Sequence, residues 1–165
     1  MTKILAVRVG MEPKVEDVES PFNFAKQSLH GIDYVETLYL LNGVVAYMSE
    51  NLDRKQRFNR DIPAKGPVLP RGAIILHKPE GAASPGEPGV FRIYGDFLLT
   101  KHQNTECTDL PEAEIQKYSA ILSLESNLGK CRWCGDSVAY KGAVFCGAAC
   151  SATSEMEGGL GSYLL

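Results

Sequence analysis

Tyr34-Val35-Glu36-Thr37-Leu38-Tyr39-Leu40-Leu41-Asn42-Gly43-Val44-Val45-Ala46-Tyr47-Met48-Ser49-Glu50 is the stretch on which the fold turns. Two runs rich in β-branched and aromatic residues, Tyr34 to Leu41 and Val44 to Glu50, flank Asn42-Gly43. That dipeptide tolerates the positive φ angles of a tight turn whose twist matches the strands, so the segment predicts a β-hairpin.

Working outward toward the N-terminus, Lys3 to Val9 alternates as a first strand, closed by the turn residues Gly10-Met11-Glu12-Pro13. Val15 and Val18 mark a short second strand. Ser20-Pro21 offers an N-cap with proline at the first helical position, and Phe22, Ala25 and Leu29 recur at helical spacing until Gly31. Beyond the hairpin, Asn51 to Arg71 is polar and interrupted by Pro63, Pro67 and Pro70, so it reads as a long loop. Gly72 to Lys78 predicts a strand, and Glu80 to Gly89, rich in Gly, Pro, Ala and Ser, a mobile excursion. Val90 to Lys101 predicts one further strand, with Gly95 marking a bulge or a close backbone approach. Asp109-x-x-Glu112 offers a capping box for a second helix with Ile115, Tyr118 and Leu122 on its apolar stripe, ended by Asn127-Leu128-Gly129. The expected class is α+β: a small mixed or antiparallel sheet with two helices.

After this helix come Cys131-x2-Cys134 and, with eleven residues between the pairs, Cys146-x3-Cys150. Two sulfurs a tight turn apart can reach one ion at about 2.3 Å. Gly135 supplies the positive φ often needed behind the second sulfur. The i, i+4 spacing of the second pair puts its sulfurs on one helical face, with Ala148 and Ala149 favouring that helix. Disulfides are the alternative for paired cysteines in a small secreted chain, but no signal-peptide pattern precedes the first strand. Cys131, Cys134, Cys146 and Cys150 are therefore expected to hold one zinc ion per chain. Four thiolates close the tetrahedron, which makes such a site structural rather than catalytic. Cys107 remains outside this set and reads as an ordinary free thiol.

The 165 residues suit one principal domain and a small appendage: an α+β domain over 1–126, a zinc-binding knuckle over 127–156 and a tail over 157–165. With 44% apolar residues the chain can bury a core. No apolar run approaches the roughly 20 residues of a membrane span, so a cytoplasmic protein without membrane attachment is expected. A net charge of −3 argues against dense, sequence-independent nucleic-acid binding.

The basic cluster Arg54, Lys55, Arg57 and Arg60 in the long loop, with Asn59 beside it, is the candidate binding surface. Arginine grips phosphate bidentately and asparagine reads a base edge, so Arg54, Arg57, Asn59 and Arg60 could take a macromolecule or a small anionic ligand such as a nucleotide. No catalytic or phosphate-loop signature is present, and a non-enzymatic binding role is expected. The enzymatic alternative is a hydrolase or transferase using His77 and His102, both at expected strand ends; His30, at a helix C-terminus, reads as a cap.

Two resemblances follow from these motifs. Cys-x2-Cys-Gly, a short hairpin and Phe-Cys-x3-Cys resemble treble-clef-type knuckles of gyrase-inhibitor zinc proteins and MYM/TRASH-type fingers, with Gly147 where those have Ser. Residues 1–122 resemble the uncharacterised DUF3846 family of phage and mobile-element proteins. That likeness rests on the opening Lys3-Ile4-Leu5-Ala6-Val7-Arg8-Val9 strand, the hairpin, Phe58-Asn59-Arg60, Ile93-x-Gly95-x-Phe97-Leu98 and Leu110-Pro111-Glu112-Ala113-Glu114-Ile115. It implies a phage or prophage origin; the expected role, from the binding reading above, is an accessory protein in the host cytoplasm acting on a host or phage protein or nucleic acid.

Overall fold

The computed structural model describes residues 1–28, 35–49, 58–65, 73–77, 88–131, 133–138 and 145–156. In chain order these form β1 (Thr2–Val7), β2 (Lys14–Val18), α1 (Pro21–Ser28), β3 (Val35–Tyr39), β4 (Val44–Ser49), β5 (Phe58–Lys65), β6 (Ala73–His77), β7 (Pro88–Tyr94), β8 (Phe97–Gln103), β9 (Glu106–Thr108), α2 (Glu112–Ile121) and α3 (Ala148–Met156). All pairing between these strands is antiparallel. One sheet runs in the order β2-β1-β8-β4-β3, with β9 on the end of β8; the other runs β5-β7-β6. The class is α+β.

The hairpin forms as its sequence predicts, with Val35 opposite Ser49 and Tyr39 opposite Val45. Its loop is Leu41-Asn42-Gly43, one residue longer than the Asn-Gly pair, because Leu40 N–H bonds to Val44 O and closes the ladder there. Asn42 and Gly43 both take positive φ, +57° and +72°.

Alternation across the larger sheet then builds two cores. Ile4, Val45, Tyr47 and Leu98 face α1 and pack with its Ala25 and Phe24. On the opposite face Leu5, Val7, Leu38, Ala46, Met48 and Leu99 join Ile62 and Ala64 of β5, Phe91 and Ile93 of β7, and Ile115 and Tyr118 of α2 in one cluster. The second sheet and α2 thus cover one face of the first, and α1 covers the other.

Three expectations are corrected. The long loop 51–71 contains a strand, β5, with Pro63 inside it. β5 is an edge strand paired only to β7, and an edge is where a residue without an N–H can sit in a sheet. Second, Val90 to Lys101 is two strands in two sheets: at Gly95, φ +77°, the chain leaves β7 and enters β8. Third, Asp109 does not cap α2; its carboxylate accepts the Lys3 N–H at 2.9 Å, and the residue before the helix, Pro111, makes no side-chain cap. The short strand β9, reached through Asn104 at φ +58°, was not expected at all. Residues 80–87 of the excursion lie outside the described residues.

Candidate metal centre

Gly129 and Gly135, at φ +85° and +83°, frame a small loop that carries the first cysteine pair. Lys130 bridges Ser137, Val138 N–H reaches Gly129 O at 3.0 Å, Cys131 N–H reaches Asp136 O at 2.7 Å, and Gly135 N–H returns to Cys131 O at 2.9 Å. These bonds fold Cys131 and Cys134 back onto one side of a turn. The second pair comes from the start of α3: Cys150 lies in its first turn and Cys146 just ahead of it, while Ser151 N–H bonds to Gly147 O.

The sulfur atoms of Cys131, Cys134, Cys146 and Cys150 all lie within 4.8 Å of one another. Cys134 Sγ to Cys146 Sγ and Cys146 Sγ to Cys150 Sγ are each 3.6 Å. A tetrahedron with metal–sulfur bonds near 2.3 Å has sulfurs about 3.8 Å apart, whereas a disulfide needs about 2.05 Å. All four are free thiols, so the donor set fits one metal ion such as zinc.

Backbone groups tune these sulfurs. Cys131 is fully buried, and burial pushes its thiol up, but backbone groups of Cys134, Cys146 and Trp133 bond its sulfur and bring it down to about 7. Burial raises Cys134 and takes Cys150 up to about 11, helped in both by the neighbouring Cys146 thiol. One sulfur is thus readied as a thiolate while its neighbours resist adding like charge, and a dication relieves that conflict.

The loop is clamped to the second sheet. Arg92 of β7 donates from Nη1 to Cys134 O at 3.0 Å and to Asp136 Oδ1 at 2.8 Å, and from Nε to Asp61 Oδ1 at 3.0 Å. Its side chain is 8% exposed and that of Asp61 10%. Burial works against the Arg92 charge, but the Asp61 and Asp136 carboxylates outweigh it and hold the guanidinium charged. Tyr94 Oη also donates to Cys134 O, at 3.2 Å, and Phe58 N–H to Trp133 O, at 3.2 Å. Lys130 completes the clamp with an ion pair to Asp61. Gly135 sits so close beneath it that a Cβ would fall 2.6 Å from Phe58 Cδ2 and 2.7 Å from Arg92 Nε. Sequence reasoning missed Arg92, Asp61 and Lys130. The only available signal was an arginine in a strand otherwise made of apolar residues and glycine.

Of the expected binding residues, Asn59 and Arg60 lie in the interior, each 2% exposed. Asn59 Nδ2 donates to Val7 O at 3.0 Å and Gly95 O at 2.7 Å. Arg60 donates from Nε to Leu122 O at 2.7 Å, from Nη1 to Asn59 O at 2.9 Å and from Nη2 to Met11 O at 2.7 Å. Burial lowers its pKa, with Glu12 opposing. These side chains tie β5 to β1, to the β7–β8 junction and to the end of α2. Arg54, Lys55 and Arg57 lie outside the described residues, as do His30 and the side chain of His77. His102 is described: its Nε2 lies 2.6 Å from Tyr47 Oη.

Comparison with known proteins leaves the site to its own chemistry: no family model matches the chain, and no curated protein and no solved structure matches it. The resemblances to DUF3846 and to the named finger types rest on the motifs alone.

Proposed function

We propose that this is a non-enzymatic accessory protein in which one structural zinc ion, held by Cys131, Cys134, Cys146 and Cys150, staples a C-terminal knuckle to an α+β domain so that the assembled surface binds a macromolecule. The observation that carries this reading is the all-thiol cluster. Four sulfurs fill a tetrahedral shell and leave no position for a substrate or an activated water, the requirement for zinc catalysis.

The DUF3846-like and finger-like motifs support a phage or mobile-element origin and a host or phage protein or nucleic acid as the partner. Free thiols suit the reducing host cytoplasm. Among the described residues no helix is long and apolar enough to cross a membrane. The reading as a small-anion binder loses Asn59 and Arg60, whose donors are committed to internal carbonyls, and would rest on Arg54 and Arg57.

The test is affinity capture from host lysate with zinc-loaded and zinc-stripped protein, followed by mass spectrometry and nucleic-acid extraction. The reading expects a partner retained by the loaded form and lost from the stripped one. A bound nucleotide with no macromolecule would contradict it.

A further inference from the structure

Away from the cysteine cluster, three reactive groups meet on the face of the larger sheet that carries α1. Cys107 of β9 stands opposite His102 of β8 in the ladder. Tyr47 of β4 lies between them, its Oη 3.3 Å from Cys107 Sγ and 2.6 Å from His102 Nε2. The Tyr47 ring is fixed by edge-on contacts with Phe22 and with the His102 ring, at centroid distances of 6.0 and 5.7 Å. Cys107 keeps partial exposure while Tyr47 is 6% exposed. His102 also forms part of the wall of an open cleft of about 510 Å³, with Tyr39, Gly43, Lys65, Asn104 and Thr105.

We propose that Cys107 is a reactive thiol that exchanges with low-molecular-weight disulfides, its proton leaving through the Tyr47 hydroxyl to His102. The sulfur–hydrogen bond of Cys107 breaks as its proton passes to Tyr47 Oη and the phenolic proton passes to Nε2, leaving a thiolate hydrogen-bonded to a neutral phenol and an imidazolium. The thiolate attacks one sulfur of the incoming disulfide. That sulfur–sulfur bond breaks as the Cys107 mixed disulfide forms, and the released thiolate takes the proton from His102. No further oxidant is required. Burial favours the neutral imidazole in the resting state, and in the tautomer protonated at Nδ1 its Nε2 accepts the phenolic proton. The phenol is held protonated, chiefly by burial and then by its bond to Cys107, which lets it relay a proton without remaining ionised.

The experiment is peptide mapping of zinc-loaded full-length protein after timed exposure to glutathione disulfide, with Tyr47→Phe and His102→Gln variants whose fold is checked by circular dichroism. Mixed disulfide on Cys107 is expected in the wild type, at a rate on the order of tenfold above either variant. An unstructured cysteine peptide under the same conditions supplies the baseline. Wild-type modification at or below that baseline, or rates unchanged in both folded variants, overturns the proposal.

Discussion

The Arg92 guanidinium donates to the Cys134 carbonyl at 3.0 Å, so a residue in the middle of the second sheet holds the backbone of one of the four clustered cysteines. The same side chain is neutralised by Asp61, itself in β5. The segment 127–156, expected as an appended knuckle, is therefore joined to the domain by ion pairs of Lys130 with Asp61 and of Asp136 with Arg92, and by hydrogen bonds to the cysteine loop. Metal binding and the integrity of β5 and β7 should be energetically coupled.

Arg92→Ala tests that coupling. Removing Arg92 leaves Asp61 with Lys130 as its one cationic partner and Cys134 O with one donor fewer, so a loss of about 2 kcal/mol is expected in denaturant unfolding. Asp136, 71% exposed, contributes little of this. Zinc affinity should fall about tenfold or more, read by chelator competition, because the ligand loop loses its support. Unchanged affinity would show the clamp to be incidental to the site.

Gly135 and Gly129 form an internal control. Both have φ near +85°, but a Cβ at Gly129 meets nothing within 4 Å, while one at Gly135 collides with Phe58 and Arg92. Gly129→Ala should cost about 1 kcal/mol from backbone strain alone. Gly135→Ala should cost about 3 kcal/mol or more, the excess coming from displacement of the clamp. Equal costs in thermal or denaturant melts would contradict the close approach.

Arg60→Ala should act on stability. Its guanidinium satisfies the carbonyls of Leu122, Asn59 and Met11, and truncation leaves the buried Leu122 and Asn59 acceptors without this donor, at an expected cost of about 3 kcal/mol by urea titration. A melting temperature equal to that of wild type would place Arg60 outside the core.

The Cys131 thiol predicts a pH dependence. In metal-free protein its folded value, about 7, lies below the ordinary thiol value, so its contribution is present at alkaline pH and lost as pH falls through about 7. Zinc binding should accordingly release about one proton fewer per ion near pH 8 than near pH 6, since Cys131 has already ionised at the higher pH. Calorimetry in buffers of different ionisation enthalpy measures the count; equal release at both values would contradict the assignment.

What was legible in the sequence was local chemistry. The hairpin, β1, β2 and α1 follow from periodicity and turn residues, α2 from its apolar stripe alone, since it ends at Ile121 and not at the expected Asn127-Leu128-Gly129, and the four cysteines from ligand spacing. What was hidden depends on partners remote in sequence. β5 was masked by Pro63, whose missing N–H matters only if both strand edges are paired. The β7–β8 break at Gly95 looks like a bulge until the chain is seen to change sheets. Asn59 and Arg60 read as surface polar residues because nothing local announces the carbonyls of Val7, Met11, Gly95 and Leu122 that meet them inside. Arg92 likewise gains its meaning only from Asp61 and Cys134, 31 and 42 residues away.

X-ray absorption at the zinc edge of reduced, chelator-free protein, with elemental analysis of the same sample, tests the central claim most directly. One zinc per chain with four sulfur neighbours at about 2.3 Å is the predicted result. Protein without zinc, a shell containing nitrogen or oxygen, or cysteines paired as disulfides would contradict it.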